Sequence, residues 1–238
     1  MKTLPYVYPI FRRELQSYFN SPVAYVVIVF FLAVVGWFFS SSLFLMNIAS
    51  LATVFEVIPW IFIGFIPAIT MRLLAEEKKA GTIELLVTKP IRDVEIILGK
   101  FFAAWALLGA TLLPTLIYLV AVSSIGEIDP GPVFAGYLGL FLMGGVYVSI
   151  GLFASSLTEN QIVAFIVTLI AVLALFLIDK MLIFLPDTLS TTLEFLSVDY
   201  HFSSIARGVV DSRDILYFFS VIGFSLLLAT VSLERRKW

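Results

Sequence analysis

Arg72-Leu-Leu-Ala-Glu-Glu-Lys-Lys-Ala-Gly-Thr-Ile-Glu-Leu-Leu-Val-Thr-Lys-Pro-Ile-Arg-Asp-Val-Glu95 is the one dense charged stretch in an otherwise apolar chain. About eleven charges fall in the roughly 29 residues from Arg72 to Lys100. At a bilayer centre each costs about 2.5–3.5 kcal/mol, on the order of 30 kcal/mol together. The stretch therefore belongs in water, and it is the only sizeable charged surface that the chain offers a soluble partner.

The rest of the chain is membrane-grade. Its 238 residues are 61% hydrophobic and 13% charged, with mean hydropathy +1.05, where a soluble domain averages about 25% charged. A single domain, residues 1–238, is expected. A net charge of −2 argues against a nucleic-acid partner. With no cysteine, disulfides, thiolate metal sites and cysteine nucleophiles are excluded. The first apolar run, from Val23 to Met46, exceeds the core of a signal peptide, about 7–15 residues, and no Ala-x-Ala-like site follows it. It reads as a retained span.

Six segments approach the length of about 17–25 residues that a membrane helix needs. They are residues 23–46, 57–74, 97–125, 133–157, 162–182 and 214–233. The expected fold class is an all-α membrane protein with six transmembrane helices. Twelve of the Lys and Arg residues lie before the first span, between the second and third, or after the last; only Lys180, Arg207 and Arg213 lie on the other side. By the positive-inside rule both termini and the loop 72–100 are cytoplasmic.

Residues 1–21 form a separate element. Ile10, Phe11, Leu15, Tyr18 and Phe19 share one helical face, with Arg12, Arg13 and Gln16 opposite. This is the pattern of an amphipathic helix in the membrane interface. Ser21-Pro22 starts the first span, with proline in the first helical position. The outer segment 186–212 mixes polar residues with Leu, Phe and Tyr and predicts two short helices, capped by Asp187 and Asp199, with Gly208 ending the second. Asp211, with Asp214 three residues on, predicts the cap of the last span.

Within the charged loop, Arg72–Ala80 continues helically from the second span, and Gly81 suits the left-handed residue that ends a helix. Thr82 caps a new short helix, and Glu84 in its first turn favours the helix dipole. Ile83, Leu85, Leu86 and Val87 give that helix an apolar face in water, an arrangement that argues for a docking surface. Lys89-Pro90 ends it, and Asp93 caps the stretch that runs into the third span.

Glu77-x-x-x-Gly81-Thr82-x-Glu84-x-Leu86 followed by Pro90 resembles the cytoplasmic signature of ABC-2 type transporter permeases. The six spans, the interfacial helix and the outer helices are similar too, so the resemblance covers essentially the whole chain. Asp199-Tyr200-His201-Phe202 with Arg207 to Asp214 is more narrowly similar to the gliding-motility-associated permease subunit. The resemblance implies a type V exporter-like fold in a bacterial inner membrane. It implies coupling to a separate ABC ATPase through Glu76, Glu77, Gly81, Thr82, Ile83, Glu84, Leu85, Leu86 and Pro90, with an interfacial helix carrying Phe11, Arg12, Arg13 and Leu15. Two permeases, identical or related, then form the path, with substrate contacts from spans one, two and five. ATP and Mg belong to the partner, because this chain lacks a Gly-x-x-x-x-Gly-Lys-Ser/Thr loop and carries no catalytic residues.

Other features are weighed against this reading. Gly144, Gly145, Ser149, Gly151 and Ser155 are spaced for close helix packing. Pro59, Pro67 and Pro114 lie inside spans and predict kinks. No ionisable residue falls mid-span, which argues against a proton- or ion-coupled secondary carrier. His201 is the lone histidine, too little for a metal site. Trp60, Tyr118, Tyr137 and Trp238 suit interfacial belts. A non-transporting anchor that docks an ATPase is the competing reading.

Overall fold

A computed structural model of the chain describes residues 5–45, 50–82, 91–126, 128–181 and 193–235. Those residues are helical, with turns between. Helix α1 is Val7–Asn20 and α2 is Pro22–Leu45, followed by α3, Ala52–Thr70, and the short α4, Ala75–Lys79. Then come α5, Asp93–Leu112, a 3-10 turn at Leu113–Thr115, and α6, Leu116–Ser123. Helices α7, Pro130–Leu157, α8, Gln161–Met181, α9, Val198–Ala206, and α10, Ser212–Glu234, complete the order. Among the described residues six stretches are long and apolar enough to cross a membrane: α2, α3 with α4, α5 with α6, α7, α8 and α10.

Helix α7 is the hub, packing against α3, α5, α8, α9 and α10. Its small residues permit this. A Cβ at Gly136 would stand 2.6 Å from the Phe55 ring, one at Gly144 would collide with Leu108, and one at Gly151 with Thr70. The small residues therefore serve packing inside one chain. Asp129 starts α7 by accepting from the Gly131 amide at 3.0 Å, with Pro130 in the first helical position.

Of the three prolines inside spans, Pro114 alone coincides with a change of helix type, where α5 gives way to the 3-10 turn. Pro59 and Pro67 lie within a continuous α3. The second span also differs from expectation. Helix α3 starts at Ala52 and stops at Thr70, and a turn over residues 71–74 separates it from α4. The reason is tertiary. Ser155 Oγ, at the end of α7, accepts from the amides of Leu74 and Ala75, both at 3.0 Å, and donates to the Met71 carbonyl at 3.1 Å. A side chain from another helix thus takes the orphan amides that begin α4.

Candidate functional site

The end of the bundle where α1 lies and α10 finishes gathers α1, α4 and the first turns of α5. Helix α1 lies on α5 with Ile10 and Tyr18 buried and Arg12, Arg13 and Gln16 facing out. Phe11 and Leu15 are half-buried. Gly99 allows the approach, since a Cβ there would stand 2.6 Å from Ile10 Cγ2. Glu95 joins the two helices: its Oε2 accepts from the Arg92 amide at 2.9 Å and its Oε1 from the Tyr6 amide at 3.3 Å. The cap of α5 is therefore Arg92 with Glu95 reaching back, and not Asp93, which is buried as the first helical residue.

The charged stretch is less solvated than its composition predicts. Lys78, Asp93, Glu95 and Lys100 are buried, Lys100 to 1% exposure. For Lys100, ion pairing makes this tolerable. Lys100 Nζ stands 2.9 Å from Glu77 and 3.3 Å from Glu14, and Arg13 reaches Glu14 at 2.8 Å and Glu77 at 3.2 Å. Four charges from α1, α4 and α5 thus form one alternating network. Burial pushes the Glu14 carboxyl up, but Lys100 and Arg13 outweigh it, and the net direction is below the usual carboxylate range. The hydrogen bond that Arg13 donates to the Glu14 carboxylate holds its guanidinium above its ordinary value. Burial raises the Tyr18 phenol.

Glu76 stays outside the network, pairing with Arg72 at 3.2 Å. Lys78 donates to the Ser156 carbonyl, which also accepts from Ser232 at 3.2 Å. Gly81 adopts φ +68°, the left-handed conformation that only glycine enters cheaply. Thr82 turns back, its hydroxyl donating to the Glu77 carbonyl at 3.3 Å. Ile83, Glu84, Leu85, Leu86 and Pro90, and the short helix expected there, lie outside the described residues. A cavity of about 430 Å³ between α1 and residues 72–82, the described part of the charged projection between α3 and α5, is lined by Arg13, Tyr18, Arg72, Glu76, Glu77 and Lys100, among others.

The partners of Lys100 and the role of Ser155 escape sequence reasoning. The signal for Lys100 is faint: a lysine one turn inside an apolar run, with acids at Glu14 and Glu77 that nothing local ties to it.

At the opposite end, residues 199–214 serve packing. Ser197, and not Asp199, caps α9, accepting from the Tyr200 amide at 3.2 Å. Asp199 instead takes Lys180 at 2.7 Å. His201 Nε2 lies 3.1 Å from the Phe195 carbonyl, which accepts, and Nδ1 lies in hydrogen-bond contact with Asp214 Oδ1 at 2.7 Å. The imidazole stacks on Tyr217 with centroids 3.9 Å apart. Asp211 caps α10 through the Arg213 amide at 2.9 Å, and Gly208 takes φ +92°. Asp187 lies outside the described residues. Among the described residues no group of three or more His, Cys, Asp or Glu side chains gathers to hold a metal.

A family model described as ABC-2 family transporter protein matches residues 14–198. Among curated proteins none matches the chain. The matched residues run from the middle of α1 to the first residue of α9, and so contain Glu14, Glu77 and Lys100. Since they make up well over half of the sequence, and the helices within them are of membrane length, the chain belongs to the ABC-2 family of transporter proteins, as a membrane-spanning permease component.

Proposed function

We propose that this permease is the membrane half of an ATP-driven exporter, moved by a separate ABC ATPase that seats on the projection between α3 and α5. The observation that carries this reading is the Lys100 network. Glu77 on the projection, Glu14 on α1 and Lys100 on α5 are joined through one buried ammonium. A push on the projection therefore displaces α1 and α5 together, because breaking a buried ion pair is costly. Coupling would run through Glu76, Glu77, Gly81, Thr82 and the neighbouring residues 83–90, with ATP and Mg held by the partner.

The membrane-length helices leave broad apolar faces uncovered, among them Val26, Phe30 and Trp37 on α2 and Ile162, Ile166 and Ile170 on α8. Lipid and a second permease, identical or related, cover these faces in the proposed assembly, with the path between the two copies. Both termini and the projection face the cytoplasm of a bacterial cell, in keeping with the Lys/Arg excess at that end. The likeness of residues 199–214 to gliding-motility-associated permeases supports an envelope or motility role.

The test is purification of the tagged full chain from its native membrane, followed by measurement of Mg-dependent ATP hydrolysis in the eluate. Wild type is expected to carry a Walker-motif subunit and its activity. Gly81→Pro is expected to insert into the membrane but to lose both, since proline cannot adopt φ +68°. Retention of a fully active ATPase by Gly81→Pro, or ATP binding by the isolated chain, refutes the reading. ATPase activity that no added amphiphile or peptide stimulates refutes transport in favour of anchoring.

A further inference from the structure

At the end of the bundle opposite the Lys100 network, a cavity of about 520 Å³ opens between the start of α3, the end of α8 and α9. Small-molecule sites commonly measure about 300–1,000 Å³. The floor is aromatic. Phe176 is buried, and Trp60 meets its ring edge-on with centroids 4.6 Å apart while remaining 54% exposed. An indole left open in this way offers surface both to an apolar chain and to a cation.

The rim is charged unevenly. Lys180 Nζ stands 2.7 Å from Asp199 and 3.2 Å from Asp179, so that cation is already matched. Glu56 on α3 and Arg207 at the end of α9 line the same cavity, and both are exposed. Among the described residues neither side chain makes an ion pair or a hydrogen bond. One unmatched anion and one unmatched cation, on different helices, therefore line the cavity together with the open indole.

We propose that this cavity binds a zwitterionic amphiphile whose headgroup carries a phosphate beside a primary ammonium. Arg207 takes the phosphate, which suits the planar fork of a guanidinium. Glu56 takes the ammonium, and the apolar tail lies along the open Trp60 indole, which Phe176 backs from below. A purely anionic headgroup would leave Glu56 beside like charge, and a purely cationic one would do the same to Arg207. The proposal rests on the reading of the chain as a permease for its membrane setting only; headgroup selection needs no ATPase.

The same headgroup chemistry arrives on a lipid or as the free aminophosphate, and the experiment separates the two. The delipidated full chain in mild detergent is titrated with lysophosphatidylethanolamine, lysophosphatidylglycerol or tail-less phosphoethanolamine, and bound adducts are counted by native mass spectrometry. The ethanolamine lysolipid is expected to be retained about ten-fold better than the glycerol one, the worth of one charge-assisted hydrogen bond. Glu56→Gln should erase that preference, Arg207→Gln should weaken both lysolipids by about ten-fold, and the tail-less compound should bind at least ten-fold more weakly. Arg213→Gln, an exposed cation outside this cavity, should change nothing. Equal retention of the two lysolipids by wild type, or a preference that survives Glu56→Gln, overturns the proposal. Equal retention of phosphoethanolamine overturns the lipid source. ATPase capture is measured on the same preparations, so the two readings fail separately.

Discussion

Replacing Lys100 with methionine removes the charge at the centre of the network while keeping most of the volume. Lys100 Nζ lies 2.9 Å from Glu77 and 3.3 Å from Glu14, with its own side chain 2% exposed and theirs 17% and 15%. At an effective dielectric constant of about 20, each contact is worth on the order of 5–6 kcal/mol of gross attraction. Desolvation of the ammonium offsets much of this, and removing one partner of a buried pair costs about 3–5 kcal/mol net. Arg13 still touches both carboxylates, at 2.8 and 3.2 Å, so the lower end applies. Lys100→Met is therefore expected to destabilise the docking of α1 on α5 by about 3 kcal/mol. Adding Glu14→Gln and Glu77→Gln to Lys100→Met should recover most of that, because no buried charge is then left without a partner. The chain has no cysteine, so a single cysteine placed at the exposed Gln16 reports on α1 by spin-label mobility without background. Denaturant titration of that signal gives the free energies for a mutant cycle. A loss below about 0.5 kcal/mol for Lys100→Met, the size of an exposed pair, refutes the reasoning.

Three further outcomes are expected. Gly81→Ala should cost about 1–2 kcal/mol in the stability of the projection, Gly81→Asn less, because a Cβ at Gly81 meets open space and the penalty is conformational alone; amide exchange over residues 75–82 measures it. Ser155→Ala should destabilise the α3–α4 turn by about 1–3 kcal/mol, since the Leu74 and Ala75 amides lose their acceptor, and Ser155→Gly should not rescue it; thermal unfolding in detergent reads this. Glu14 gives a pH dependence of known sign. Its folded carboxyl is held below the ordinary value of about 4.3, so its contribution is present above that pH and is lost as pH falls through the folded value. The spin label on α1 should therefore loosen as acidification passes below the ordinary carboxylate range, and Glu14→Gln should flatten that response; an unchanged response in Glu14→Gln refutes it.

Much of this molecule is legible in its residues because the signals are local. Six apolar runs are long enough to cross a bilayer, and among the described residues six helical stretches of that length result, two of them interrupted. The apolar face of residues 10–19, the left-handed glycines at 81 and 208 and the Asp211 cap each depend on a few neighbouring residues. The errors share one cause. Asp93 and Asp199 carry the composition of helix caps, yet neighbours claimed those positions: Arg92 with Glu95 at one, Ser197 at the other. The break after Thr70 has no local breaker; its acceptor, Ser155, lies more than eighty residues away at the Leu74 amide.

Hydropathy and backbone preference thus determined, from sequence alone, how many rods the chain builds and where several of them end. Those quantities depend on transfer free energies and torsional sterics that act within a turn or two of chain. Only the tertiary structure decided that Lys100 meets Glu14 and Glu77, and that His201 meets Asp214. A buried charge takes whichever opposite charge packing brings within about 3 Å, and which one that is depends on how the rods lie together.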